Sequence, residues 1–256
     1  MRIVVKVGTS TLAHKTGNLN IRRVENLCKV LSDLKNSGHD IILVSSGAVG
    51  MGVGKLCLSG RPEDTPTKQA AAAVGQCELM YTYDKLFSEY NHTVAQILLV
   101  GYDIENETRR MNFKNTLSRL LEMNVIPIVN ENDTVSTDEI VIGDNDTLSS
   151  IVATNVEADL LILLSDIDGL YTADPRSDKN ARLIDTVEKI TPEIFALAGK
   201  EGSKLGTGGM ATKITAAENA NKNGIDMIIA NGSNPEVLYD IVDGKKVGTR
   251  FVSDRK

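Results

Sequence analysis

A lysine inside an apolar run is the first chemical feature of the chain. Lys6 is flanked by Val4, Val5 and Val7 and followed by Gly8-Thr9-Ser10. Buried lysines are rare, so a lysine with a task outweighs the plainer reading of an edge-strand residue whose ammonium reaches water. Gly8, without a side chain, lets backbone N–H groups approach an anion. A second lysine, Lys213, closes the run Gly206-Thr207-Gly208-Gly209-Met210-Ala211-Thr212-Lys213. A glycine-rich stretch that opens a helix can aim unpaired N–H groups and the helix dipole at a phosphate, and a lysine one turn into the helix can reach the same group. The spacing is not that of the P-loop, because Lys213 comes four residues after Gly209. Without a ligand, the same stretch reads as a loop with an ordinary helix cap.

Between the two lysines lies the stretch Val125 to Thr147, VIPIVNENDTVSTDEIVIGDNDT. Its apolar start (Val125, Ile126, Ile128, Val129) reads as a buried strand. It then breaks into Asn130-Glu131-Asn132-Asp133 and later into Gly143-Asp144-Asn145-Asp146. No Lys, Arg or His occurs between Arg119 and Arg176, so these acids have no basic neighbours in sequence. Carboxylates and amides at a strand end suit an amine, a hydroxyl or a metal ion; a phosphate needs the lysines from elsewhere. Phosphoryl transfer requires charge neutralisation around the moving group and little covalent participation by the protein. The two lysines and the glycine-rich loop supply that, and Asp146 could hold both ammonium groups. Asp146 also reads as a helix N-cap, and the two roles are compatible. Asp144 and Asp146 as an acid–base pair lack an accompanying histidine: His14, His39 and His92 stand in polar, loop-like contexts. Ser46 lies in SSGAVG and not in GxSxG, which counts against a Ser-His-Asp hydrolase.

The elements that must position these residues alternate between strands and helices. Ile3 to Val7 reads as a strand, and Asn20 as the cap of a helix running to a stop at Gly38. Ile41 to Val44 is a second strand, leading through Ser45-Ser46-Gly47 into a glycine-dense loop (Gly47, Gly50, Gly52, Gly54). Thr65-Pro66 offers a cap and first-turn proline for a long helix from Thr67 to Tyr90. Val94 to Val100 is a third strand, Thr108 to Met123 a helix, and the Val125 run a fourth strand. Asp146 opens a helix to Glu157, Leu160 to Leu164 is a fifth strand, and Thr191-Pro192 opens another helix. Met210 to Asn223 is helical, Ile225 to Ala230 a strand, Pro235 to Val242 a short helix and Val247 to Val252 a last strand. Strands apolar throughout, alternating with helices, indicate a mainly parallel sheet covered on both faces. Ligands of such sheets sit beyond the carboxyl ends of the strands. Gly8, Ser46-Gly47, Asn130 to Asp133 and Ser165-Asp166 all fall there.

A chain of 256 residues can bury a substantial core. A net charge of -6 argues against a nucleic-acid-binding footprint, but not against a small anion bound by local cations. Cys28, Cys57 and Cys77 are widely spaced and form no CxxC pair, so neither a disulfide framework nor a structural zinc site is expected. The start MRIVVKVG is too quickly polar for a signal peptide, and no apolar run approaches the ~20 residues that span a bilayer. The expectation is a cytoplasmic protein with one continuous domain and no membrane partner.

Taken together, the segments KVGTS at Lys6, VSSGAVGMG at Val44, NENDTV at Asn130, GDND at Gly143, GLYTADPR at Gly169 and GTGGMATK at Gly206 resemble the glutamate 5-kinases of the amino acid kinase family. GLYTADPR and the lysine positions also resemble related kinases of uridylate and aspartate; NENDTV followed by GDND, with SSGAVG, is particular to the glutamate kinases. The resemblance implies an α/β fold, a three-layer αβα sandwich around a mainly parallel sheet. It implies transfer of the ATP γ-phosphoryl to the side-chain carboxylate of L-glutamate, with Mg²⁺ held mainly by ATP phosphates and water. Lys6 and Lys213 match the lysines that stabilise the transferring phosphoryl, and Asp146 the aspartate that orients them. Ser46, Gly47, Asp133 and Asn145 match substrate-binding positions. Lys6, Gly8, Ser165, Asp166 and Thr207, Gly208, Gly209, Met210, Ala211, Thr212 and Lys213 match nucleotide-binding positions, Ser165 standing where a threonine is common. The resemblance further implies a homo-oligomer and inhibition by proline. Many members carry a C-terminal PUA domain; with Phe251 followed by five residues, a single kinase domain over 1–256 without it is expected. The competing readings are a kinase of another small acid or nucleotide, and a regulator that binds nucleotide or amino acid without catalysis.

Overall fold

The computed structural model describes residues 1–14, 18–135, 144–198 and 209–254. In chain order the elements begin with β1 (Arg2–Val7), α1 (Thr9–Leu12), α2 (Ile21–Asn36), β2 (Asp40–Ser45), α3 (Ala48–Lys55), α4 (Thr65–Ser88) and β3 (Val94–Leu99). Then come α5 (Gly101–Glu105), α6 (Glu107–Glu122), β4 (Ile126–Glu131), α7 (Asn145–Asn155), β5 (Leu160–Ser165) and β6 (Thr186–Val187). The chain continues through α8 (Pro192–Ala196), α9 (Met210–Lys222), β7 (Asp226–Asn231), α10 (Val237–Val242) and β8 (Thr249–Phe251).

The described strands form one eight-stranded sheet in the order β3-β4-β2-β1-β5-β7-β8-β6. Every pairing is parallel except β7 with β8. The strands are apolar on both faces because both faces are covered. Side chains alternate along a strand, so Val4 of β1 joins a core with Phe113 and Leu117 of α6, Leu148 and Val152 of α7, and Ile214 of α9. Ile3, Val5 and Val7 point the other way, into a core with Leu27 and Leu31 of α2 and Leu79 and Tyr83 of α4. The result is the three-layer αβα sandwich that the sequence predicts. Alternation also puts Lys6 on the Val4 side, the side covered by α7 and α9. β1 is an interior strand, between β2 and β5. This removes the edge-strand reading of Lys6.

The glycine-dense stretch after β2 is a helix, not the predicted loop. Gly47 turns the chain into α3 with φ 109°, a left-handed conformation that favours glycine. α3 then crosses α4 at backbone contact: a Cβ on Gly52 would lie 1.8 Å from Ala71 O, and one on Gly75 1.8 Å from Ala48 O. Glycine costs a helix intrinsic propensity, but here it permits an approach that any side chain would block. Two boundaries and one short strand also differ. Asp64, not Thr65, caps α4, accepting from Thr67 N; Asp144, not Asp146, caps α7; and the two-residue β6, too short to carry a pattern, is additional.

Gly75→Ala must push α3 and α4 apart. Overpacking of this kind costs about 1–3 kcal/mol, and the expected outcome is a loss of that size in urea-induced unfolding. A loss under about 0.5 kcal/mol would show that the two backbones are not locked together there.

Candidate functional site

The carboxyl ends of β1, β2, β4, β5 and β7 lie on one edge of the sheet, and α7 and α9 deliver their first turns to it. Asp144 caps α7, its Oδ1 accepting from the backbone N–H of Asp146 at 2.8 Å and of Thr147 at 2.9 Å. Relieved of capping, the Asp146 side chain turns inward, where it is fully buried. Its Oδ1 lies 2.6 Å from Lys6 Nζ, and its Oδ2 3.0 Å from Lys213 Nζ. Thr212 Oγ1 donates to the same Oδ2 at 2.9 Å. Both lysines are buried, Lys6 at 7% and Lys213 at 5% exposure. Asp146 therefore bridges two ammonium groups from opposite ends of the sequence.

Burial alone raises the Asp146 pKa, but Lys6 and Lys213 outweigh it and hold the carboxyl down at about 2. The group is ionised throughout the neutral range. The trio brings two ammonium groups and one carboxylate together, a sign of charge that suits an approaching anion.

Beside the trio runs a second polar assembly. Asn145 Nδ2 donates to Ser46 Oγ at 2.8 Å and to Asn130 Oδ1 at 3.0 Å. Asn130 Nδ2 in turn donates to Gln76 Oε1 at 2.9 Å. Asp133 lines a small cleft together with Ala48, Gln76 and Thr134. Burial raises the Asp133 pKa, and Arg61, from the segment before α4, partly opposes this. The absence of basic neighbours in sequence does not keep a cation away: Arg61 is remote along the chain and acts across space.

Of the residues singled out in the sequence, Lys6, Asp146, Thr212 and Lys213 thus stand together, as do Ser46 and Asn145. Gly47 forms the turn beside Ser46. Gly8 lies against the trio: a Cβ built on it would be 3.7 Å from Lys6 Nζ. Gly209 caps α9, with Met210 and Ala211 in its first turn. Ser165 and Asp166 end β5, joined by a Ser165 Oγ bond to Asp166 Oδ1 at 3.3 Å. Gly143, Gly206, Thr207 and Gly208 lie outside the described residues. Asn130 and Gln76 are the residues that sequence reasoning did not assign. Asn130 stood within a quoted segment; Gln76 stood in an alanine-rich helix that also holds Gln69, with nothing local to single it out. A cavity of about 510 Å³ lies beyond β5 and β7, and its lining includes Asp168, Glu236 and Asp240 but no lysine or arginine. It offers a phosphate no positive partner.

The amino acid kinase family model matches residues 1–231. The chain is 55% identical to the glutamate 5-kinase of Clostridium perfringens, over 99% of this chain and 96% of that protein. The chain belongs to the amino acid kinase family, among its glutamate 5-kinases. A second relative, the glutamate 5-kinase of Clostridium tetani, is 57% identical over 97% of this chain and 93% of that protein. Among solved structures, a carbamate kinase from Giardia lamblia bound to AMP-PNP superposes with a TM-score of 0.70 at 18% identity, covering 99% of this chain and 98% of that one. At that identity the likeness bears on the amino acid kinase fold alone.

Asp146→Asn leaves two buried ammonium groups without their anion, and breaking such a pair costs about 3–5 kcal/mol. The Asp146 carboxyl has a lower pKa folded (about 2) than unfolded (3.8), so its contribution is complete above the unfolded value and lost as pH falls through the folded one. The stability gap between wild type and Asp146→Asn should therefore narrow by about 1 kcal/mol between pH 4.5 and 3, read by urea unfolding. A gap independent of pH would place the asparagine's cost elsewhere.

Proposed function

We propose that this chain transfers the γ-phosphoryl group of ATP to the side-chain carboxylate of L-glutamate, giving L-glutamyl 5-phosphate and ADP, the first step of proline biosynthesis. The observation that carries this reading is the buried Lys6–Asp146–Lys213 trio beside the Ser46–Asn145 pair, in a member of the glutamate 5-kinases.

In the reaction a carboxylate oxygen attacks the γ-phosphorus, the bond to the ADP oxygen breaks, and that oxygen leaves with the electron pair. Lys6 and Lys213 neutralise the charge on the moving phosphoryl, the term that dominates this chemistry. Asp146 keeps both ammonium groups in register. An ammonium carries three N–H donors, more than the contact of Lys6 with Asp146 uses. Ser46, Gly47, Asn145 and Asp133 receive glutamate, with Asp133 as the counter-charge to its ammonium. Gly8, Ser165, Asp166 and the Thr207–Lys213 segment receive the nucleotide, Thr212 by way of its bond to Asp146.

Mg²⁺ accompanies ATP in this reading. Among the described residues no group of three or more His, Cys, Asp or Glu stands where it could hold a metal, and both Asp146 oxygens face lysines. Such residues do not form a protein cage; an ion held by phosphate oxygens and water suits them, partly neutralising the phosphates. No described helix is long and apolar enough to cross a membrane. The family reading carries the further expectations of a single kinase domain, a cytoplasmic homo-oligomer and inhibition by proline.

The test is ADP release from Mg-ATP with L-glutamate, N-acetylglutamate, L-aspartate or UMP as acceptor, hydroxylamine being added to trap an acyl phosphate. Glutamate-dependent release with formation of the γ-hydroxamate is the expected result. Turnover confined to another acceptor would overturn the assignment of Asp133, Ser46 and Asn145.

A further inference from the structure

The amides beside the trio form one directional chain. Gln76 Nε2 faces Gln96 Oε1 at 3.4 Å, Asn130 Nδ2 donates to Gln76 Oε1 at 2.9 Å, and Asn145 Nδ2 donates to Asn130 Oδ1 at 3.0 Å and to Ser46 Oγ at 2.8 Å. An amide nitrogen has two protons, and Asn145 gives one to each of its partners. Its remaining capacity is the carbonyl Oδ1, to which no group among the described residues donates. Ser46 Oγ, accepting from Asn145, keeps its own proton to give. The chain thus sets a polarity: an acceptor at Asn145 Oδ1, a donor at Ser46. An α-amino acid needs that pairing, with an acceptor for its ammonium and a donor for a carboxylate.

The orientation of Asn145 depends on groups behind it. An amide can turn over and exchange donor for acceptor at almost no cost in shape, so only its neighbours decide. Asn130 is 2% exposed and cannot turn to water for an alternative. A buried amide N–H without a partner costs about 1–3 kcal/mol, which ties Asn130 Nδ2 to Gln76 Oε1 and leaves Asn130 Oδ1 for Asn145. Gln76, 8% exposed on α4, is the last buried amide of this chain before the exposed Gln96. Its helix is seated against α3 by the Gly52 and Gly75 contacts, which fix the place of its side chain.

We propose that Gln76 is a positioning residue for substrate specificity: through Asn130 it holds the Asn145 carbonyl toward the ammonium of the acceptor substrate. The proposal rests on the reading of the acceptor as L-glutamate. Because Gln76 acts on the ammonium through the Asn145 carbonyl and on a carboxylate only at one remove, through Ser46, its loss should weaken an analogue without the ammonium much less.

The experiment compares wild type, Gln76→Met and Gln76→Glu, measuring kcat and KM for glutamate and for ATP, and the Ki of glutarate, which lacks the amine. Methionine keeps the length of glutamine and removes its donor and acceptor. Glutamate at position 76 still accepts from Asn130 Nδ2. For Gln76→Met we expect the glutamate KM to rise about tenfold, with kcat, the ATP KM and the glutarate Ki within about threefold of wild type. For Gln76→Glu we expect the glutamate KM within about threefold of wild type. Equal weakening of glutamate and glutarate in Gln76→Met, or no weakening of either, would overturn the proposal. Should the methionine variant not fold, Gln76→Glu decides: a retained glutamate KM supports the chain, and a tenfold rise overturns it. Absence of glutamate turnover in the wild type would instead remove the functional reading beneath it.

Discussion

Three buried charges organise this molecule. Asp146 sits without solvent exposure between Lys6 and Lys213, and each member depends on a different part of the fold. Lys6 needs an interior strand whose alternation turns it toward α7. Asp146 needs Asp144 to take over the capping of α7 so that its own carboxylate is released inward. Lys213 needs α9 to begin at Gly209, one turn away. Such an arrangement is a poor source of stability, since desolvating three ions offsets much of their attraction. Its two ammonium groups make sense in a place an anion visits.

The surrounding architecture can be understood as support for that edge. Parallel strands put their carboxyl ends together, so residues far apart in sequence meet at one rim. α3 and α4, locked by glycine contacts, carry Gly47 and Gln76 to the other side of the same rim. The cationic trio and the amide chain therefore share one edge but do different electrostatic work. The first neutralises transferring negative charge; the second fixes donors and acceptors in direction.

Much of this was legible in the sequence. The all-apolar strands gave away a doubly covered sheet, and Lys6 among valines gave away a buried charge. The order of strands was not legible, since pairing of β1 with both β2 and β5 is decided by packing and not by local pattern. α3 was hidden because Gly50, Gly52 and Gly54 are poor helix formers, and the α4 backbone at Ala71 that makes Gly52 necessary lies about twenty residues away. Asp144 and Asp146 are both good caps by type; only the three-dimensional positions of Lys6 and Lys213 decide which one turns inward. Gln76 had no local signal at all, its meaning residing in Asn130, on another element.

The most direct test of the account is single-turnover phosphoryl transfer from ATP to glutamate by Lys213→Ala, alongside glutamate binding and thermal unfolding of the same variant. If Lys213 stabilises the moving phosphoryl, the transfer rate falls by about three orders of magnitude, roughly 4 kcal/mol of barrier, while the variant folds and still binds glutamate. A transfer rate within about tenfold of wild type would contradict the account, because the buried trio would then be a structural ion cluster and not the site of phosphoryl transfer.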